Sequence, residues 1–205
     1  MKELFVKRFE YYKMLGDKAF SQLSEEEVFW QFNEESNSIA VIVKHVAGNM
    51  LSRWTDFLTE DGEKPWRNRD EEFVNTFKTK SEALEYWERG WKCLFEALDQ
   101  INDENLYSTV YIRNEAHLVI DAVIRQLAHY PYHVGQMVYI AKMLKNDDWK
   151  TLSIARNKSG EFNDEMKNRF SASGSGTNSS PVCYQNSPEV RDEYKQSIES
   201  IRTSY

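Results

Sequence analysis

Helical periodicity, repeated over four long stretches, is what most limits the folds open to this chain. Between about residues 2 and 22, Leu4, Phe5, Phe9, Tyr12, Leu15, Ala19 and Leu23 recur at intervals of one, three and four, the stripe of an amphipathic helix. Ser24-Glu25-Glu26-Glu27 reads as a capping box that starts a short helical turn through Phe29 and Trp30. A second long helix is expected from Ser38 to about Leu58. Its first half is almost wholly apolar (Ile39, Ala40, Val41, Ile42, Val43, Val46), so it is covered on most sides. Ser81 caps a third helix to about Ile101, with Leu84, Trp87, Trp91, Leu94, Phe95 and Leu98 as its inner face. Asn114 can cap a fourth, running to about Leu144.

The only strand-like signal is the alternation of Tyr107 to Ile112. The expected fold class is therefore all-α, a four-helix bundle. Residues 59 to 80 make a connection of about 20 residues, far beyond the two to eight usual between neighbouring helices. A crossover of that length lets the second and third long helices run parallel.

A core for such a bundle is available without disulfides, because 40% of residues are hydrophobic and 14% aromatic. A domain of this size buries roughly 70% of the surface its unfolded chain exposes. Cys93 and Cys183 are read as two free thiols. The net charge of -7 and pI near 5.3 leave no basic field for nucleic acid or anionic membrane. The N-terminal Met-Lys-Glu-Leu-Phe-Val-Lys-Arg-Phe-Glu has no apolar signal-peptide region, and no apolar run approaches the ~20 residues of a membrane span. The expected location is the cytoplasm. The expected organisation is a bundle over residues 1–168, then a Ser/Gly-rich linker and a short C-terminal helix over 169–205. That last helix would start at Ser187-Pro188-Glu189 and carry the stripe Val190, Tyr194, Ile198 and Ile201.

Chemistry is suggested by histidine. Of His45, His117, His129 and His133, two stand four apart in His129-Tyr-Pro-Tyr-His133. On a helix such a pair projects from one face, one turn apart, and can grip a single ion. Neutral imidazole suits zinc, nickel, copper or iron. His45 lies in the most apolar part of the second helix, where a bare polar ring needs a partner, and inward positions on two helices can meet in a bundle core. The competing reading is ordinary: a solvated histidine pair, and a core histidine satisfied by a hydrogen bond. Pro131, between the paired histidines, should bend or loosen the helix there. Gly135 costs about 1 kcal/mol relative to alanine, which a close approach by another helix would explain.

Ser38-Ile-Ala-Val-Ile-Val-Lys-His45-Val-Ala-Gly-Asn-Met, Ile112-Arg-Asn-Glu-Ala-His117 and Arg125-Gln-Leu-Ala-His129-Tyr-Pro-Tyr-His133-Val-Gly-Gln136 resemble the DinB/YfiT-like metalloenzymes. The nearer resemblance is to a bacterial branch of unknown function, whose closing segment is similar to Leu152-Ser-Ile-Ala-Arg-Asn-Lys-Ser-Gly-Glu-Phe-Asn163. The resemblance spans about residues 1 to 168. It implies a four-helix bundle with parallel second and third helices, often dimeric. It also implies one divalent ion, zinc or nickel first, iron or manganese next, held by His45, His129 and His133. His117 lies outside that pattern.

Three histidine ligands leave coordination positions open, as in catalytic metal sites. Relatives in the resembled superfamily use low-molecular-weight thiols such as bacillithiol or mycothiol, so the resemblance implies S-transfer, or hydrolysis, on a small molecule. Asn49 and Arg53, beyond His45, and Arg125, before His129, share the ligand faces and could hold substrate or support the ligands, as could Gln136. Each also has a plain reading in interhelical salt bridges and hydrogen bonds. Cys93 is expected to be a small core residue and no nucleophile. Two alternatives to an enzyme stay open at this stage: a bundle in which the ion only ties helices together, and a metal-free interaction protein.

Overall fold

The computed structural model describes residues 1–172. Of the stretch expected to be linker and last helix, only 169–172 fall among them, and they are the end of a helix, not linker. The rest of that stretch lies outside the described residues. The chain divides into two units, residues 1–153 and 154–205. Of the second, the described part is residues 154–172, which carry helix α6, Ser159–Ala172.

The first unit is mostly helical. Its long helices are α1 (Lys2–Ser21), α3 (Ile39–Trp54), α4 (Lys80–Asp99) and α5 (Val119–Lys145), with short α2 at Glu25–Phe29. One apolar core lies between them, with Phe9, Val43, Met50, Trp87, Trp91, Leu94, Val123 and Val134 among its members. The capping box forms as expected: Ser24 Oγ accepts from Glu27 N, and the Glu27 carboxylate accepts from Ser24 N. Ser38 caps α3 by accepting from Val41 N.

Several boundaries differ from the sequence reading. Helix α3 stops at Trp54, short of Leu58, because Thr55 is extended and Asp56 adopts φ 48°, a left-handed conformation that aspartate tolerates. Thr79, not Ser81, caps α4, its hydroxyl accepting from Glu82 N. Leu84 is exposed, and Ala83 takes the inward position. Asn114 caps nothing. Arg113 and Asn114, both at positive φ, form the two-residue turn of a hairpin that joins β1 (Thr109–Ile112) to β2 (Glu115–Leu118), with Ile112 paired to Glu115. The extended piece at 107–112 is thus one strand of two, and α5 begins only at Val119.

Contacts along the helices fix their mutual register. Going up α3, Ala47 meets Gly90 and the Met50 carbonyl meets Cys93. Between α1 and α4 the order reverses, with Phe9 against Trp91 and Gly16 against Trp87. A Cβ on Gly90 would sit 2.7 Å from Ala47 Cα, so α3 and α4 touch backbone to backbone there. Gly135 shows no such approach: nothing lies within 4 Å of the position its Cβ would take.

The connection from α3 to α4 holds a 3-10 turn at Asp70–Phe73. Lys44 Nζ clamps that turn onto α3 by donating to the carbonyls of Glu71 (2.6 Å) and Val74 (2.7 Å). Gly48 permits the approach, since a Cβ there would meet Glu72 Oε1 at 2.7 Å. The start of the same connection is pinned to the hairpin by Asp61, whose carboxylate accepts from Arg113 N and Asn114 N. No described helix is long and apolar enough to cross a membrane.

Candidate metal centre

His45 comes from the buried middle of α3, and His129 and His133 come from one face of α5. The fold brings the three rings together. His45 lies edge-to-face with His129 and His133, at centroid distances of 5.5 and 4.9 Å. One ligand nitrogen from each falls within 4.8 Å of the others. The Nε2 atoms of His129 and His133 are 3.1 Å apart. Tetrahedral coordination at zinc–nitrogen bond length separates nitrogens by about 3.3 Å. The His129–His133 pair already stands near that spacing, and the wider separations need to close to grip one ion.

Each ring is oriented from behind. His45 Nδ1 lies 3.0 Å from Glu72 Oε2, His129 Nδ1 lies 3.1 Å from Gln126 Oε1, and His133 Nδ1 lies 2.9 Å from Gln136 Oε1. A carboxylate or amide oxygen only accepts, so each Nδ1 carries a proton, and in a neutral ring Nε2 is then the bare lone pair. Two such lone pairs facing at 3.1 Å repel unless a cation sits between them. Behind metal-bound histidines, acceptors of this kind fix the tautomer and raise ligand basicity. On α5 the device is symmetric about Pro131: Gln126 lies three residues before one ligand and Gln136 three after the other.

Glu72 is the member that sequence reasoning missed. It stands on the 3-10 turn, 27 positions from His45, with its side chain buried. Arg67 grips it with two bonds, Nε to Oε1 at 2.8 Å and Nη2 to Oε2 at 2.9 Å. Burial opposes the charge on Glu72, but the His45 hydrogen bond and the Arg67 guanidinium outweigh it and hold the carboxyl below its ordinary range. Phe73, next on the turn, stacks on the His45 ring at 4.8 Å. Gln126 was missed as well, although its spacing from His129 was a usable signal.

Burial, then the neighbouring His133 and His45, push His129 down to about 3, and burial pushes His133 down too. These imidazoles are kept neutral, the form that binds a metal.

The other predicted site residues fall in different places. Asn49 Oδ1 accepts from Tyr130 Oη at 3.0 Å, and Tyr130 in turn accepts from Trp54 Nε1 at 3.0 Å, a buried polar chain beside the ligands. Gln136 is engaged with His133. Arg53 is buried. Arg125 is exposed, and its guanidinium lies 3.5 Å from His117 Nε2. His117 pairs with Asp121 at 2.8 Å and takes no part in the three-histidine group. The half-buried thiol of Cys93 is pushed up by burial, which disfavours a thiolate. Cys183 lies outside the described residues.

No curated protein matches the chain. One family does, over residues 2–158, which is most of the sequence. The chain belongs to the family described as "Protein of unknown function (DUF1572)".

Proposed function

We propose that this protein is a divalent-metal-dependent enzyme acting on a small molecule, with His45, His129 and His133 as its ligands and S-transfer from a low-molecular-weight thiol as the leading reaction. The observation that carries the reading is the orientation of the rings. Three Nδ1 atoms are engaged by Glu72, Gln126 and Gln136, which leaves Nε2 as the free nitrogen of each ring, and one nitrogen from each lies within 4.8 Å of the others. When bound there, a zinc or nickel ion would lower the pKa of a coordinated thiol or water and so generate a nucleophile near neutral pH. Glu72 and Arg67 lock the His45 ring, and Gln126 and Gln136 hold the two rings of α5. His129 and His133 are only partly buried, which leaves an approach for substrate.

The resemblance to DinB/YfiT-like metalloenzymes belongs to the same proposal, as do parallel α3 and α4, a homodimer and a cytoplasmic location. The matching order of Ala47–Gly90 and Met50–Cys93 supports the parallel run.

Metal content of the purified chain, compared with His133→Ala, tests the reading. About one equivalent of zinc or nickel is expected in the wild type and none in the variant, with the fold retained. Loss of metal together with a collapse of thermal stability would assign the ion to tying α3 to α5. A wild type that takes up no ion after supplementation would sink the metal centre. For the reaction itself, the metal-loaded protein is assayed with bacillithiol and a generic electrophile, and the signal should vanish in all three histidine variants.

A further inference from the structure

Arg53 is a buried cation that the three imidazoles leave unexplained. His45, Asn49 and Arg53 follow one another at four-residue steps on α3. Only 5% of Arg53 is exposed, and its Nε and Nη1 have neither solvent nor a hydrogen-bond partner among the described residues. The carboxylates of Glu63 and Asp61 act on its charge from nearby but give Nε and Nη1 no hydrogen bond. Arg125 and Arg67 act on it as like charges. Glu63 is already paired with Arg67 at 3.0 Å and with Arg113 at 3.3 Å. Asp61 is committed to the backbone N–H groups of Glu63, Arg113 and Asn114.

Burial pulls the guanidinium below its ordinary range, yet arginine does not give up its proton in a protein. Buried guanidinium donors left without an acceptor are costly, and native structures pair such groups or place them where a ligand supplies the partner. Gly62 packs against the same group: a Cβ there would stand 2.8 Å from Nη1 and 3.0 Å from Cδ, so a larger residue would press on the guanidinium.

The positive charge of Arg53 stands eight residues beyond His45 on the same helix. Imidazole rings supply no negative charge to balance it, and a divalent ion among them would make the region more positive. We propose that Arg53 seats an oxyanion, a carboxylate or a phosphate, carried by the small molecule that reaches the histidine centre. The planar guanidinium fork, with its donors unspent, matches such a group in a way that an ammonium would not. The second half of this proposal rests on the metal reading; the anion seat does not.

Thermal unfolding of the full chain, metal-free and metal-loaded, tests the seat with succinate and with inorganic phosphate against chloride at matched ionic strength. Near saturation, one of the two oxyanions should raise the melting temperature of the metal-free wild type by about 5–10 °C. Whichever does so identifies the group as carboxylate or phosphate. Arg53→Gln should lose the shift and Arg53→Lys should retain a smaller one. Should Arg53→Gln fail to fold, Gly62→Ala, which crowds Nη1, should lose the shift in its place. No shift beyond chloride in the wild type, or an equal shift in Arg53→Gln or Gly62→Ala, would overturn the proposal. An anion shift without metal uptake keeps the seat and removes the metal centre; metal uptake without an anion shift does the reverse.

Discussion

Where α1 meets α4, the interior is aromatic and nearly dry: Phe9, Trp87 and Trp91 pack edge to face, and the Trp87 indole N–H reaches Asp17 at the rim. Where α3 faces α5, the same core buries His45, Asn49, Arg53 and Gln126, and Glu72 reaches His45 from the connecting turn. The first region removes large apolar surfaces from water and leaves one indole N–H, Trp91 Nε1, without a partner among the described residues. The second accepts the cost of burying polar groups and recovers only part of it in hydrogen bonds. Apolar packing and clustered polar groups thus occupy different faces of one core, and substitutions should separate their effects.

The largest effect belongs to the dry face. Trp91→Ala empties a fully buried site and should cost about 3–5 kcal/mol, read as a lower denaturation midpoint, while metal stoichiometry stays at the wild-type value. A cost under ~1 kcal/mol would mean that the aromatic face is not what holds the molecule together. Next come two glycines whose sequence signals are alike. Gly90→Ala drives a methyl into the Ala47 backbone and should cost about 1–3 kcal/mol. Gly135→Ala meets open space and should stabilise by up to about 1 kcal/mol through helix propensity. Chemical denaturation of the two variants side by side decides it, and equal signs would contradict the packing described.

On the polar face the readout changes from stability to affinity. Glu72→Gln leaves an acceptor near His45 but removes the charge that fixes its ring. Metal affinity, measured by competition with a chelator on folded protein, should fall about 10–100-fold. The melting temperature should fall less than in Trp91→Ala, because Arg67 keeps Glu63 as a partner. An unchanged affinity would reduce Glu72 to a structural ion pair.

The contrast between the faces also explains what could be read from the sequence. The dry face follows helical periodicity, so its residues were legible, Leu84 excepted: a stripe locates a face to within one position, and Ala83 and Leu84 compete for it. His129 and His133 were legible through their i, i+4 spacing, and His45 through its apolar surroundings. Glu72 was not, because it sits in a charge-rich connection without periodicity, one of 33 acidic residues, and becomes special only when Lys44 and Gly48 bring its turn against α3. Asn114 was misread because asparagine favours both helix N-caps and left-handed turns. Gly135 misled for a related reason: a glycine in a helix marks either a close approach or a mere tolerance, and only the neighbouring helix tells which.

The smallest expected effect tests how the connection that carries Glu72 is anchored. Asp61 holds that connection to the hairpin. Burial pushes its carboxyl up, but the backbone N–H groups of Asn114, Glu63 and Arg113 outweigh this and leave it below its ordinary value. A carboxyl depressed in the folded state contributes stability that is complete above its unfolded pKa of about 3.9 and is lost as the pH falls through the folded value. Asp61→Asn replaces one acceptor oxygen with a donor facing N–H groups and has no such pH dependence. The wild type should therefore be the more stable at pH 7, and its advantage should shrink below about pH 4 as Asp61 takes up its proton. Paired denaturation curves at pH 7 and pH 3 measure this. A gap that stays constant between the two would mean that shape, and not the charge of Asp61, joins the hairpin to the connection that positions Glu72.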